Sequence, residues 1–271
     1  MFSKAFKSVI FFFRPAFYGL FLIVDYCFPR RKGKLVVFSY HSISQDGWRF
    51  SIDPERFRSQ MEELLVEYQP ISLSEAALFL KGKKLIDRPS FVITFDDGYR
   101  DILGVKEFLA SKGIRPAFFV LSDPDHADSD EIGTRREFLS RDEVRSLVDC
   151  GWELGCHSAT HGDFWSMSPD RILSETRGAK ESLERELGVS VRFFAYPRGR
   201  YTDEAKRCIE ESGYELALSM DDGFLCSKTD LFAVPRIGVD RTHSPGEFRS
   251  IHADASIWFR KFAKRFIGKL L

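Results

Sequence analysis

The chain has 271 residues, 44% of them hydrophobic, which is enough to bury a large core in one α/β domain or two small ones. Its 40 Lys/Arg and 40 Asp/Glu cancel, but unevenly: residues 1–34 hold seven basic residues and one acid, and residues 258–271 hold five basic residues and no acid, leaving 28 basic against 39 acidic residues between 35 and 257. An acidic body argues against nucleic-acid binding, while basic ends point to a membrane surface or another polyanion as their partner. The five cysteines (Cys27, Cys150, Cys156, Cys208 and Cys226) are odd in number and not closely paired, which argues against a disulfide framework and favours a reducing compartment.

At the N-terminus two apolar runs, Val9–Phe13 and Ala16–Val24, are broken by Arg14-Pro15. A spanning helix needs about 20 apolar residues without such a break. No small-x-small cleavage site follows, so a kinked helix or hairpin dipping into one leaflet is expected, with Arg30-Arg31-Lys32-Gly33-Lys34 on the cytoplasmic side. A soluble helix packed on the core is the alternative.

From Leu35 short apolar strands alternate with amphipathic helices, the pattern of a sheet or barrel with helices outside. Strands are expected at Leu35–Phe38, Phe91–Phe95, Ala117–Leu121, Trp152–Cys156, Val191–Tyr196, Glu215–Ser219 and Ile237–Val239. Helices are expected from the Asp53-Pro54 cap, over Ser74–Leu80 and Asp101–Ser111, from the capping box at Ser140-x-x-Glu143, over Pro169–Leu187, and from Thr202 to Ser212. Ser122–Gly133 reads as an acidic surface loop.

Two stretches carry chemistry. Phe91–Phe95 runs straight into Asp96-Asp97-Gly98, and adjacent carboxylates at a strand end repel unless a cation or proton separates them. One acid then suggests a metal ligand and the other a base; taken alone, the triplet also reads as a turn. Strand Trp152–Cys156 runs into His157-Ser158-Ala159-Thr160-His161, where on one helical turn both imidazoles would share a face. With Asp97 they make three protein ligands and leave positions for water, the layout of a hydrolytic site rather than a structural one.

T-F-D-D-G followed by H-S-x-x-H, each after a strand, resembles the polysaccharide deacetylases of carbohydrate esterase family 4, the NodB-homology group, over roughly Leu35 to Ser250. The resemblance implies a distorted (β/α) barrel of about seven strands with its site at the strands' carboxyl ends. It makes Asp96 the base, and Asp97, His157 and His161 the ligands of a divalent metal, most readily zinc. Ala195-Tyr196-Pro197-Arg198-Gly199 stands where the family has Arg-Pro-Pro-Tyr-Gly, so the Arg198 N–H would help hold the oxyanion while Ala195 replaces the arginine that orients the base. Arg236 is the candidate replacement cation, and His243 the general acid. His41, Tyr196 and Arg236 are expected to face substrate, and His126 and His252 the solvent. The family's Asp-Trp motif has no convincing match; Asp221-Asp222-Gly223-Phe224 looks equally like a turn.

The implied reaction is removal of the N-acetyl group from an amino sugar in a glycan or lipid-linked saccharide. A deformylase or O-deacetylase on the same scaffold, or a non-catalytic carbohydrate-binding protein, are the alternatives. The expected organisation is a membrane-associating segment at 1–34, a catalytic domain at 35–256 and an amphipathic basic helix at 257–271. Trp258, Phe259, Phe262, Phe266 and Leu270 would lie on one face of that helix, with cations on the rest. Together the termini predict a membrane surface as partner and a place on the cytoplasmic face of the inner membrane.

Overall fold

The computed structural model describes Leu20, residues 34–127, Ile132 and residues 136–266. Within them the apolar runs become parallel strands. In chain order the elements are β1 (Leu35–Tyr40), β2 (Ser42–Ile43), β3 (Ser51–Ile52), α1 (Pro54–Glu67), β4 (Gln69–Pro70), α2 (Leu73–Leu80), β5 (Ser90–Phe95), α3 (Lys106–Ser111) and β6 (Ala117–Val120). Then come α4 (Arg141–Asp149), β7 (Glu153–Cys156), α5 (Pro169–Leu173), a π-helical turn (Ser174–Gly178), α6 (Ala179–Leu187), β8 (Phe193–Ala195), α7 (Asp203–Glu211), β9 (Leu216–Leu218), β10 (Ile237–Gly238), α8 (Pro245–Ser250) and α9 (Asp254–Phe266). Asp53 accepts from the N–H groups of Glu55 and Arg56, and Ser140 and Glu143 complete a capping box, so both helices start where their caps predict.

Seven strands run in the order β10-β1-β5-β6-β7-β8-β9, every pair parallel, and β4 adds to β5. The path ends at β9 and β10, which are not paired with each other; Leu218 of β9 bridges instead to Val234, ahead of β10, so this is an incompletely closed barrel. Period-two alternation sorts the strands into two apolar layers. Val36, Phe38, Phe91, Ile93, Phe95 and Phe118 pack outward with Phe57, Met61 and Leu64 of α1. Leu35, Val37, Val92, Phe119, Phe193 and Leu216 point inward, together with Leu73, Ala76, Ala77 and Leu80 of α2. Gly155 makes room for this interior, because a Cβ there would lie 2.3 Å from the Phe119 ring.

The termini require a correction. Among the described residues no helix is long and apolar enough to cross a membrane. The broken apolar segment before Lys34 and the last five residues lie outside the described residues. Parts of both ends pack on the barrel, although Leu20 and Trp258 are exposed. Ala253, Ser256 and Ile257 are buried, Arg260 Nη2 lies 2.6 Å from the buried Asp222 carboxylate, and Lys34 Nζ is 3.5 Å from Asp254. Residues 257–266 carry no acid of their own, and the acid that matches Arg260 comes from the loop after β9. Membrane-associated termini, a membrane surface as partner and a place on the inner membrane's cytoplasmic face are therefore withdrawn.

His252 is likewise not a surface residue: it is buried edge-on against Phe38 and Tyr68. Arg260→Ala would remove one partner of the buried Asp222 carboxylate, and loss of one partner of a buried pair costs about 3 kcal/mol. Urea denaturation should show a lower midpoint at unchanged slope; a midpoint equal to wild type would mean that α9 does not dock through this pair.

Candidate metal centre and active-site pocket

The inner face of the barrel changes character at its carboxyl end. Following Val37 and Val92 inward by alternation gives Ser39, Thr94 and then Asp96, so a buried carboxylate tops an apolar interior. Arg236, itself fully buried, reaches it from the residue before β10: Nη1 lies 2.7 Å from Asp96 Oδ1 and 3.1 Å from Thr94 Oγ1, while Nε donates to the Ser219 carbonyl at 3.1 Å. One guanidinium thus spans the open seam between β9 and β10. Ser39 Oγ donates to Asp96 Oδ2 at 3.1 Å. Burial pushes the Asp96 pKa up, but Arg236, with the imidazoles of His157 and His41, more than offsets it, and the group stays below its ordinary value. Arg236, expected to face substrate, is instead enclosed against Asp96.

Asp97, His157 and His161 are all buried, and one ligand atom from each lies within 4.8 Å of the others. Asp97 Oδ1 is 3.2 Å from His157 Nε2 and 3.5 Å from His161 Nε2, and makes no hydrogen bond of acceptable geometry. A buried carboxylate oxygen facing two ring nitrogens, with no hydrogen bond of its own, fits a divalent cation. His157 Nδ1 lies 2.8 Å from the Ala195 carbonyl, which fixes the tautomer that turns Nε2 toward Asp97.

The histidines do not share a helical turn, as their spacing predicted. His157 continues the β7 ladder through its N–H to the Val120 carbonyl, and the chain then loops, with the His161 N–H bonded to Ser158 Oγ at 2.9 Å. Ser158 and His161 both have positive φ (72° and 60°), as do Asp97 (69°) and Arg198 (59°). Left-handed backbone costs a residue with a Cβ about 1–2 kcal/mol, and here it is concentrated where functional side chains are aimed. The loop is held by Glu175, which lies in the π-helical turn and is fully buried: its carboxylate accepts from the N–H groups of Ala159 and Thr160 at 2.9 Å and from Thr160 Oγ1 at 2.7 Å. Sequence reading missed Glu175, whose only local signal is Arg171 four residues earlier.

Burial lowers the His157 pKa, but Asp97 and Asp96 outweigh it and the ring stays protonated to higher pH than usual in the metal-free protein. A protonated imidazole cannot ligate. Metal affinity should therefore fall as pH drops through a value above the ordinary 6.5, by about tenfold per pH unit for each histidine that must lose a proton. Chelator-competition titrations with zinc at pH 6 and pH 8 check this; equal affinity at both would remove His157 from the ligand set.

One cavity of about 640 Å³ joins these groups, lined by Asp96, Asp97, His157, His161, His41, Tyr196, Arg198 and Gly199, with Trp48, Arg49, Phe50 and Met220 opposite. The last four went unnoticed in the sequence. Gly199 is needed here, since its φ is +66° and a Cβ would lie 2.3 Å from Met220. Tyr196 contributes its ring, while its hydroxyl donates to the Phe232 carbonyl at 2.9 Å. His243 lines an adjoining cavity that shares His41, Arg49, Phe50 and Met220 with the first, and its Nδ1 lies 3.2 Å from Asp240 Oδ1. Burial raises the Asp240 pKa, yet the contact with His243 and the bonds from Thr242 hold that carboxyl well below the usual range.

The polysaccharide deacetylase family profile matches residues 83–217, which contain the Asp96-Asp97 pair and both ligand histidines. The chain belongs to the polysaccharide deacetylase family. Its Bacillus subtilis relative YxkH, described as a polysaccharide deacetylase, is 25% identical over 218 residues, covering 80% of this chain and 74% of that one. Among solved structures, the Streptococcus pyogenes deacetylase PplD superposes with a TM-score of 0.69 at 22% identity, over 81% of this chain and 98% of its own. IcaB from Ammonifex degensii gives 0.70 at 23%, over 84% and 98%. At such identities these two structures speak for the fold, while family membership and the ligand cluster make this deacetylase a metal-dependent hydrolase.

Proposed function

We propose that the protein removes the N-acetyl group from an amino sugar of a glycan, releasing acetate and a free amine. The observation that carries this reading is the meeting, in one cavity, of the Asp97–His157–His161 cluster with Asp96, which the enclosed Arg236 pairs from behind. A divalent cation held by Asp97, His157 and His161, best zinc given two imidazole donors, would acidify a water and polarise the acyl carbonyl. Asp96, kept ionised by Arg236, takes the proton of the attacking water. The backbone N–H of Arg198 is proposed to donate to the developing oxyanion.

An amide departs only when its nitrogen is protonated. His243, its Nδ1 engaged by Asp240, would deliver that proton from Nε2. His41, whose buried Nδ1 has no hydrogen-bond partner, and the Tyr196 ring would contact the sugar. The catalytic unit proposed here covers residues 35–256. Mass spectrometry after incubation with matched N-acetyl, O-acetyl and N-formyl hexosamine oligosaccharides tests the reading. It predicts loss of one acetyl mass with appearance of an amine; selective loss of formyl or of ester-linked acetyl would replace it.

A further inference from the structure

One wall of the catalytic cavity has no part in the reaction just described. We propose that Trp48 is the platform on which a pyranose ring of the glycan stacks, and that Arg136 and Asp101 hold it in position; this rests on the glycan reading above. Trp48 lies in the excursion between β2 and β3, whose base is pinned by the pairs Ser42–Ser51 and Ile43–Ile52 and by the Ser51 N–H to the Trp48 carbonyl at 3.1 Å. Its indole is half-buried and lines the same cavity as Asp96, Asp97 and the two histidines.

The ring is held from several sides. Tyr99 meets it edge-on at 5.6 Å, Phe50 at 5.2 Å, and the Arg136 guanidinium sits 4.4 Å from its centroid. Arg136 is fixed in turn: it bonds Ser42 Oγ at 2.7 Å and Asp101 Oδ2 at 3.2 Å, and pairs with Asp46. Asp101 also accepts from Ser42 Oγ at 2.6 Å and from the Ile43 N–H at 3.0 Å, tying the network to the base of the excursion.

An indole fixed this way is pre-organised, so binding costs it little conformational entropy. It offers no group that the hydrolysis needs. With Arg136 over the ring, what the indole offers is the apolar surface that lines the cavity beside a polar reacting centre, which matches a pyranose: hydroxyls at the rim, carbon-bound hydrogens on the face. The family's Asp-Trp pair has no convincing match in this sequence, and Trp48 reaches the cavity from the excursion between β2 and β3.

The test is calorimetric binding of the N-acetylglucosamine tetramer in an Asp96→Asn background, with KM and kcat measured in parallel in the otherwise native enzyme. Trp48→Ala should weaken tetramer binding about tenfold and raise KM similarly, with kcat much less affected and zinc content intact. Trp48→Phe should recover most of the affinity, and Arg136→Ala should reproduce part of the loss. Unchanged affinity in Trp48→Ala, or a loss shared by zinc content and kcat and not rescued by Phe, would overturn the platform. Failure of the substrate reading looks different: the wild type would release no acetate, whatever the binding data show, and absence of any tetramer binding to the Asp96→Asn protein would overturn the platform as well.

Discussion

Asp96→Asn should keep the metal and lose about 10²- to 10⁴-fold in hydrolysis, the usual cost of removing a general base. The substitution preserves shape and leaves Asp97, His157 and His161 in place, but removes the charge proposed to accept the proton. It also leaves Arg236 a fully buried cation without its carboxylate, a loss of about 3 kcal/mol in stability. Replacing both, Asp96→Asn with Arg236→Met, should recover part of that stability and none of the activity. The pH dependence follows from the sign of the shift: because the folded-state pKa of Asp96 is lowered from 3.8, its stabilisation is complete above that value and is lost as pH falls through the folded pKa. The stability gap between wild type and Asp96→Asn should therefore be widest at neutral pH and close under acid. A near-normal rate in Asp96→Asn, measured as acetate release, would place the base elsewhere.

The second large effect is expected at the ligands. His157→Ala and His161→Ala each remove one of the three proposed protein ligands, and both should abolish metal retention and activity together. Glu175→Gln acts one step further out: it leaves every ligand in place but weakens the bonds that shape the loop from Ala159 to His161. Such supporting groups are typically worth about 10- to 100-fold in metal affinity. Metal content after dialysis separates the cases, with none in the histidine variants and a measurable, weaker site in Glu175→Gln. Wild-type metal content in His157→Ala would invalidate the site.

What could be read from the chain divides along sequence distance. The strands from Ser90 to Cys156, the helix caps at Asp53 and Ser140, and the two acid and histidine motifs were legible because each is a local pattern of polarity and period. The pair Arg236–Asp96 spans 140 residues, and no local pattern announces it; only the absence of an arginine at Ala195 pointed to the need for a cation. Glu175 looks like an exposed helix residue paired to Arg171 until the fold brings the Ala159–Thr160 backbone onto it. The histidine spacing gave convergence of the rings but the wrong backbone, since a loop with two positive-φ residues does what a helical turn was expected to do. The basic C-terminal helix misled for the same reason of distance: Asp222 and Lys34 are far from it in sequence and adjacent in space.

Acetate release from N-acetylhexosamine oligosaccharides, followed through metal removal and reconstitution, tests the central claim most directly. Protein stripped with a chelator should release no acetate, and added zinc should restore release in step with metal bound, one free amine appearing per acetate. Acetate release that survives complete metal removal, or fully metal-loaded protein that frees no acetate from any N-acetylated glycan, would contradict the assignment of a metal-dependent N-deacetylase.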